Sequence, residues 1–206
     1  MRQLVHVPII HSHLDMGSAQ KEVRRAYVER GGEDAWERSR RAIAEFWDAI
    51  ERAVDSLRLD YRKVRLYQDG LPVCGLEEKI VRDLAAQGGS NYRILLKLAK
   101  RGAALEGTED PDLLRTEYEL IMRTAAHATA AELAGPSEGA NAAQFQELLD
   151  LRDRFIAQRI DATLLEGEVG ILFLGALHHV VDKVPATIEV VSLPEMLEAA
   201  AKGGKR

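Results

Sequence analysis

The stretch Val169-Gly170-Ile171-Leu172-Phe173-Leu174-Gly175-Ala176-Leu177-His178-His179 decides how this chain is read. An apolar run rich in β-favouring residues ends at a glycine and is followed by two histidines. The run is too short to span a bilayer. It shows no polar alternation, which is the pattern of a strand buried on both faces at the centre of a parallel sheet. In such sheets ligands bind outside the carboxyl ends of the strands, and His178 and His179 fall at that edge.

Working outward, further strands are expected over residues 4–11, 63–67, 103–105 and 186–192. The second of them runs into the turn-forming sequence Gln68-Asp69-Gly70-Leu71-Pro72. Between the strands the pattern is helical. A charged segment over 19–30 is stopped by Gly31-Gly32. A long amphipathic helix over 33–59 then places Trp36, Ile43, Phe46, Trp47, Ile50, Val54 and Leu57 at three- and four-residue steps. Residues 76–87 form a helix, and Ser90 is read as the cap of another that reaches 100. Asp110-Pro111 starts a helix to about 133, an aspartate cap before a proline in the first turn. Residues 135–139 are the clearest loop, residues 141–165 are helical, and Pro194 opens a short terminal helix.

Helix alternating with strand gives a helix-rich α/β fold with a mostly parallel sheet of about four or five strands. Residues 1–206 are read as a single domain, with a helical subregion at about 17–60 that forms a long hairpin or arm. Two tryptophans on one helical stripe require either full packing on the sheet or a homodimer.

The length suits one sizeable core. A formal net charge of -5, with no basic patch interleaved with aromatics, argues against a nucleic-acid partner. No segment has the 18–20 apolar residues of a membrane span, so no membrane partner is expected. The apolar stretch at 5–10 is interrupted by Pro8 and leads into histidines rather than a cleavage site. With a single cysteine, no intrachain disulfide can form, and a cytoplasmic location is expected. Cys74, beside Gly75, is read as a small buried hydrophobe.

Chemistry gathers at the expected strand ends. The first strand delivers His11, His13 and Asp15, the second Gln68 and Asp69, the third Glu106, Glu109 and Asp110, and the fourth His178 and His179. His11 and His13, two apart, share a side if the strand persists, and His6 points the other way. Histidines with carboxylates supply the nitrogen and anionic oxygen ligands that Zn, Mn, Fe or Co accept, or general acids and bases without metal. Asp69 and Asp110 are read first as helix caps, which are common in such loops. Adjacent residues diverge, so one of His178 and His179 should enter the site, and His178 is favoured. On the 141–165 helix, Phe145, Leu148, Leu149, Phe155, Ile156 and Ile160 form an apolar stripe. Arg152 falls near its middle and Asp153 at its edge. An arginine there must meet a carboxylate, face a pocket for an anionic group, or snorkel to water.

These residues carry a resemblance. Leu151-Arg152-Asp153-Arg154-Phe155-Ile156-Ala157-Gln158-Arg159-Ile160, a spacer, and the strand ending Gly175-Ala176-Leu177-His178 resemble the C-terminal signature of the superfamily of erythromycin esterase, the Tiki proteases, the TraB pheromone-shutdown proteins and the ChaN haem-uptake proteins. The family also has a Gly-x-x-His at the end of its first strand. Here that place reads Ile10-His11-Ser12-His13, with the histidine and without the glycine. The resemblance implies His13 and His178 as paired site histidines and Arg152 as the site arginine.

The expected function is hydrolysis of a small molecule or peptide with a divalent metal (Mn, Zn, Fe or Co). His11, His13 and His178 are the candidate ligands, His13 and His178 alternatively bases, Glu109 a ligand or general base, and Arg152 an electrostatic clamp. The alternatives are a non-catalytic protein binding haem, a metal or a metabolite, and a structural homodimer. The chain has no G-x-S-x-G elbow and no P-loop, so serine-hydrolase and nucleoside-triphosphatase chemistry find no support.

Overall fold

The structure is a computed structural model and describes residues 1–10, 20–127 and 140–203. His11, His13, Asp15 and the 135–139 loop lie outside the described residues.

Five strands, β1 (Arg2–Ile9), β2 (Val64–Gln68), β3 (Ala104–Leu105), β4 (Val169–Gly175) and β5 (Ile188–Ser192), form one sheet in the order β3-β2-β4-β1-β5. Every pairing is parallel. The apolar run is the central strand, as its lack of alternation requires. Residues 170–175 of β4 are all buried, with β2 on one side and β1 on the other. The helices are α1 (Gln20–Ser56), α2 (Glu77–Ala86), α3 (Ser90–Lys100), α4 (Pro111–His127), α5 (Ala140–Thr163) and α6 (Leu193–Gly203).

Alternate residues of the strands serve two cores. Val5, Val7, Leu66, Ile171 and Phe173 face α1, α2, α3 and α6 through Trp47, Val54, Val81, Ile94, Leu95, Leu98 and Leu193. Leu4, Tyr67, Leu172 and Leu174 face α5 through Ile156, Ala157, Ile160 and Leu164. The chain moves from β1 past the β4 position to β2 and β3 with α1, α2 and α3 on the first face. It returns to β4 through α5 on the second. Reversing direction while changing face is what right-handed crossovers demand. The reversal leaves β2 and β4 side by side with their following segments departing to opposite faces, which opens a crevice at their carboxyl ends.

Gly31-Gly32 ends one helix and lets a second begin, as expected, so α1 is two helices joined at a kink. Gly32 has φ 78° and ψ 168°, a conformation only glycine adopts without strain. The two pieces fold back on each other there. Arg24 pairs with Glu33 at 2.5 Å, and the Tyr27 and Trp36 rings meet edge-on with centroids 5.5 Å apart. Residues that far apart in a straight helix would be separated by roughly 13 Å. Both indoles are thus buried within the chain, Trp47 in the sheet core and Trp36 against Tyr27.

Two local expectations are corrected. Ser90 is the first residue of α3, and the cap is Gly89 with no side-chain cap bond; the Ser90 hydroxyl accepts from Arg93 instead. Cys74 is exposed, because it lies in the loop before α2, where its N–H and that of Gly75 donate to Glu77. Asp110 is the cap expected of it, accepting from the N–H groups of Asp112 at 2.7 Å and Leu113 at 3.3 Å.

Gly170 has no room for a side chain. A Cβ there would lie 2.7 Å from Leu4 Cδ1 and 3.2 Å from the Tyr67 ring. That ring is itself fixed by a 2.8 Å hydrogen bond between its hydroxyl and Thr163. Gly170→Val should therefore destabilise the fold by about 1–3 kcal/mol, the usual cost of overpacking, measured by denaturant unfolding. A second prediction concerns His6, half-buried in β1, whose pKa burial holds below its ordinary value. Above pH of about 6.5 it is neutral in folded and unfolded chains alike. As pH falls below that, the unfolded chain takes up the proton first, so stability is lost until the folded-state pKa is passed. His6→Gln should flatten this part of the stability profile between pH 7.5 and 5, and an unchanged slope would count against it.

Candidate functional site

The carboxyl ends of β2 and β4 are tied together beyond their last ladder pair. Asp69 N–H donates to the Phe173 carbonyl at 3.1 Å, and the Asp69 carboxylate returns the tie by accepting from Gly175 N–H at 2.7 Å. Gly175-Ala176-Leu177-His178 then turns, closed by His178 N–H donating to the Gly175 carbonyl at 3.1 Å. This turn explains the spacing of glycine and histidine. It brings the imidazole back over the strand end instead of letting it run on.

The two histidines separate as expected from their adjacency. The His178 side chain is only 6% exposed, whereas that of His179 is 65% exposed. His178 Nδ1 lies 2.5 Å from Asp153 Oδ1, and the other oxygen of Asp153 accepts from His179 N–H at 2.7 Å. One carboxylate on α5 thereby fixes both the ring and the turn that carries it. His178 Nε2 faces Asp69 Oδ2 at 3.7 Å, beyond direct hydrogen-bond reach.

One residue earlier on α5, Arg152 reaches the other way. Its Nε and Nη2 each donate to an oxygen of Glu109 at 2.6 Å, a two-pronged pair, and Nη1 pairs with Glu117. Glu109 is fully buried and also accepts from Gly70 N–H at 2.6 Å. Burial by itself would lower the pKa of Arg152. The hydrogen bonds to Glu109 and the charges of Glu109, Glu117 and Asp69 outweigh it and hold the guanidinium above its ordinary range. Arg152 is therefore a paired interior cation and does not snorkel. Glu109 sits where it does because two loops zip together. Val73 N–H donates to the Glu109 carbonyl, and the N–H groups of Thr108 and Glu109 donate to the Leu71 carbonyl.

Of the residues singled out in the sequence, Glu109, Arg152 and His178 all lie at this carboxyl rim, connected through Asp69 and Asp153. His11 and His13 follow β1, whose last residue Ile9 is registered with Gly175, and lie outside the described residues. The sequence reading gave Asp69 too little weight by treating it as a helix cap. The next helix, α2, begins only at Glu77, too far along for Asp69 to cap it, and that distance was the available signal. Asp153 was noticed only at the edge of the stripe, and Glu117 carried no signal. Among the described residues no three His, Cys, Asp or Glu side chains are grouped to hold a metal ion, and no helix is long and apolar enough to cross a membrane. A cavity of about 150 Å³ lies elsewhere, between α5 and the segment before β5, lined by Arg154, Gln158, Asp161 and Lys183. Arg154 and Lys183 both pair with Asp150 there, so their charges are already met.

Comparison with protein-family models, with curated proteins and with solved structures finds no match for this chain.

Removing the guanidinium would strand a buried carboxylate. Arg152→Met should cost roughly 3–5 kcal/mol of unfolding free energy, and adding Glu109→Gln should recover part of that loss. A double variant no more stable than Arg152→Met would show that the cost lies in packing and not in the unpaired charge.

Proposed function

We propose that this protein is a hydrolase of a small molecule or peptide, with His178 as the group that accepts the proton of the attacking water. The observation that carries this reading is the setting of His178. A nearly buried imidazole at the carboxyl edge of the central strand is held through Nδ1 by the Asp153 carboxylate, with Nε2 3.7 Å from Asp69 and without a hydrogen bond among the described residues. With Asp153 accepting the Nδ1 proton, Nε2 carries the lone pair of a general base. A water bonded to both Nε2 and Asp69 Oδ2, at about 2.8 Å from each, would bridge that 3.7 Å separation. Its proton would pass to Nε2, and Asp153 would steady the imidazolium that results. Both oxygens of Glu109 are engaged by Arg152, so Glu109 serves to anchor the arginine, and Arg152 supplies a fixed positive charge to a rim rich in carboxylates.

A carboxylate behind an imidazole also orients metal-ligating histidines. His178 Nε2 and Asp69 Oδ2 supply two donors of the kinds that Mn, Zn, Fe and Co accept, and a third would have to come from His11 or His13. A bound ion would acidify the water it held. The superfamily resemblance of the Arg152-Asp153 helix and the Gly175–His178 turn agrees with this reading. The same donor set favours a second reading, a non-catalytic metal or haem binder.

Elemental analysis of unchelated protein, together with a screen of chromogenic esters and peptide anilides with and without Mn²⁺ or Zn²⁺, separates the two. His178→Asn should lower kcat/KM by about 10²–10⁴ with circular dichroism unchanged, while His179→Asn stays within a few-fold. Equal turnover by His178→Asn would remove the general base. Metal or haem content without turnover of any substrate would leave the binder.

A further inference from the structure

The chain turns from α1 into β2 and from α3 into β3 at the amino edge of the sheet, the end opposite the rim that holds His178. These two turns pack on each other. The Arg101 guanidinium lies 3.8 Å from the centre of the Tyr61 ring, and a side chain at Gly102 would come within 3.2 Å of Arg62 Cγ. Six cations gather there: Arg58, Arg62 and Lys63 on the first turn, and Lys97, Lys100 and Arg101 at the end of α3.

Three carboxylates answer three of them. Lys97 pairs with Glu51 at 2.7 Å and Asp55 at 2.5 Å, Arg101 with Asp55 at 3.0 Å, and Arg62 with Asp60 at 3.0 Å. Arg58, Lys63 and Lys100 are exposed and make no hydrogen bond or ion pair among the described residues. A helix end favours cations in its last turn, which covers Lys97 and Lys100 but not Arg62 or Lys63. Arg58 also holds φ 49°, the one left-handed backbone among the described non-glycine residues. A position that glycine or asparagine would fill more easily presents a cation instead.

The chemistry of the patch selects its partner. The whole chain has a formal net charge of -5, so a large anionic body would repel the rest of the molecule, whereas a small anionic segment meets the patch alone. No aromatic side chain of residues 51–63 or 97–102 is exposed to stack on a base, and no large apolar one to enter a lipid surface. A peptide carrying a run of carboxylates needs neither, since each can accept from a guanidinium or an ammonium.

We propose that this edge is a docking surface for an acidic peptide segment of a partner protein, held by Arg58, Lys63 and Lys100. The surface is independent of the hydrolase reading. It lies at the far end of the strands from His178, so docking there leaves the rim free.

The probe is fluorescein-labelled octaglutamate, and binding is followed by anisotropy. Wild-type protein should bind it saturably, with the affinity falling at least about tenfold between roughly 20 and 200 mM salt. The triple variant Arg58→Gln, Lys63→Gln, Lys100→Gln should bind at least about tenfold more weakly. A control triple, Arg30→Gln, Arg38→Gln, Arg41→Gln, makes the same change in net charge at exposed positions of α1 and should stay within about twofold of the wild type. No saturable binding by the wild type, or an equal loss in the two triples, overturns the proposal. So does wild-type binding to octathymidylate, or to phosphatidylserine vesicles, that is tighter than to octaglutamate. The first would assign the surface to a nucleic acid and the second to a membrane, and both are read without any variant.

Discussion

A guanidinium taken out of water costs several kcal/mol unless carboxylates meet it, and the Arg152–Glu109 pair is where this fold meets that cost. Glu109 follows β3, Arg152 lies on α5, and Gly70, which also bonds Glu109, follows β2. Three segments distant in sequence are thus pinned at one point beneath the rim. With Arg152 locked toward Glu109, the next side chain on α5 can only point toward the turn after β4, and there Asp153 holds His178. The candidate catalytic group is positioned by the same helix that carries the buried cation. The setting of His178 depends on the pair even though, among the described residues, no hydrogen bond joins His178 to either member.

How much of this was legible in the sequence depends on the kind of signal each feature leaves. The central strand was visible because a segment buried on both faces cannot carry polar alternation, and residues 169–175 do not. Arg152 was visible because a charge on an apolar stripe needs an explanation. Its partner Glu109 could be named only as a strand-end acid, since a long-range pairing leaves no local trace. Asp69 was misread for a related reason. Its partners, Gly175 and His178, lie more than a hundred residues further on, whereas the cap reading used only neighbours. The burial of Gln68, whose side-chain oxygen has no hydrogen-bond partner among the described residues, has no sequence counterpart at all, because a glutamine at a strand end looks like any loop glutamine.

Exposure of Cys74 and the cap at Gly89 show a similar boundary. Side-chain type sets a general tendency to bury or to cap, but the loop path before α2 and the entry into α3 override it. Capping at Asp110 followed its residue type because the helix it starts comes directly after it.

The order of strands has a consequence for how the molecule is made. β1 pairs with β4 and β5 and with no other strand, so Gln3 waits for Val169 and Arg2 for Ile188. During synthesis, the apolar face of Val5, Val7 and Ile9 emerges long before any strand that can cover its edges. Contacts of such wide sequence separation close slowly, because loop entropy is lost before pairing repays it. Meanwhile β2, α2, α3 and β3 can assemble among themselves. The sheet is therefore completed from its middle outward only when β4 arrives to bridge a waiting first strand and a preformed β2–β3 half, and the rim that holds His178 is among the last parts of the molecule to exist.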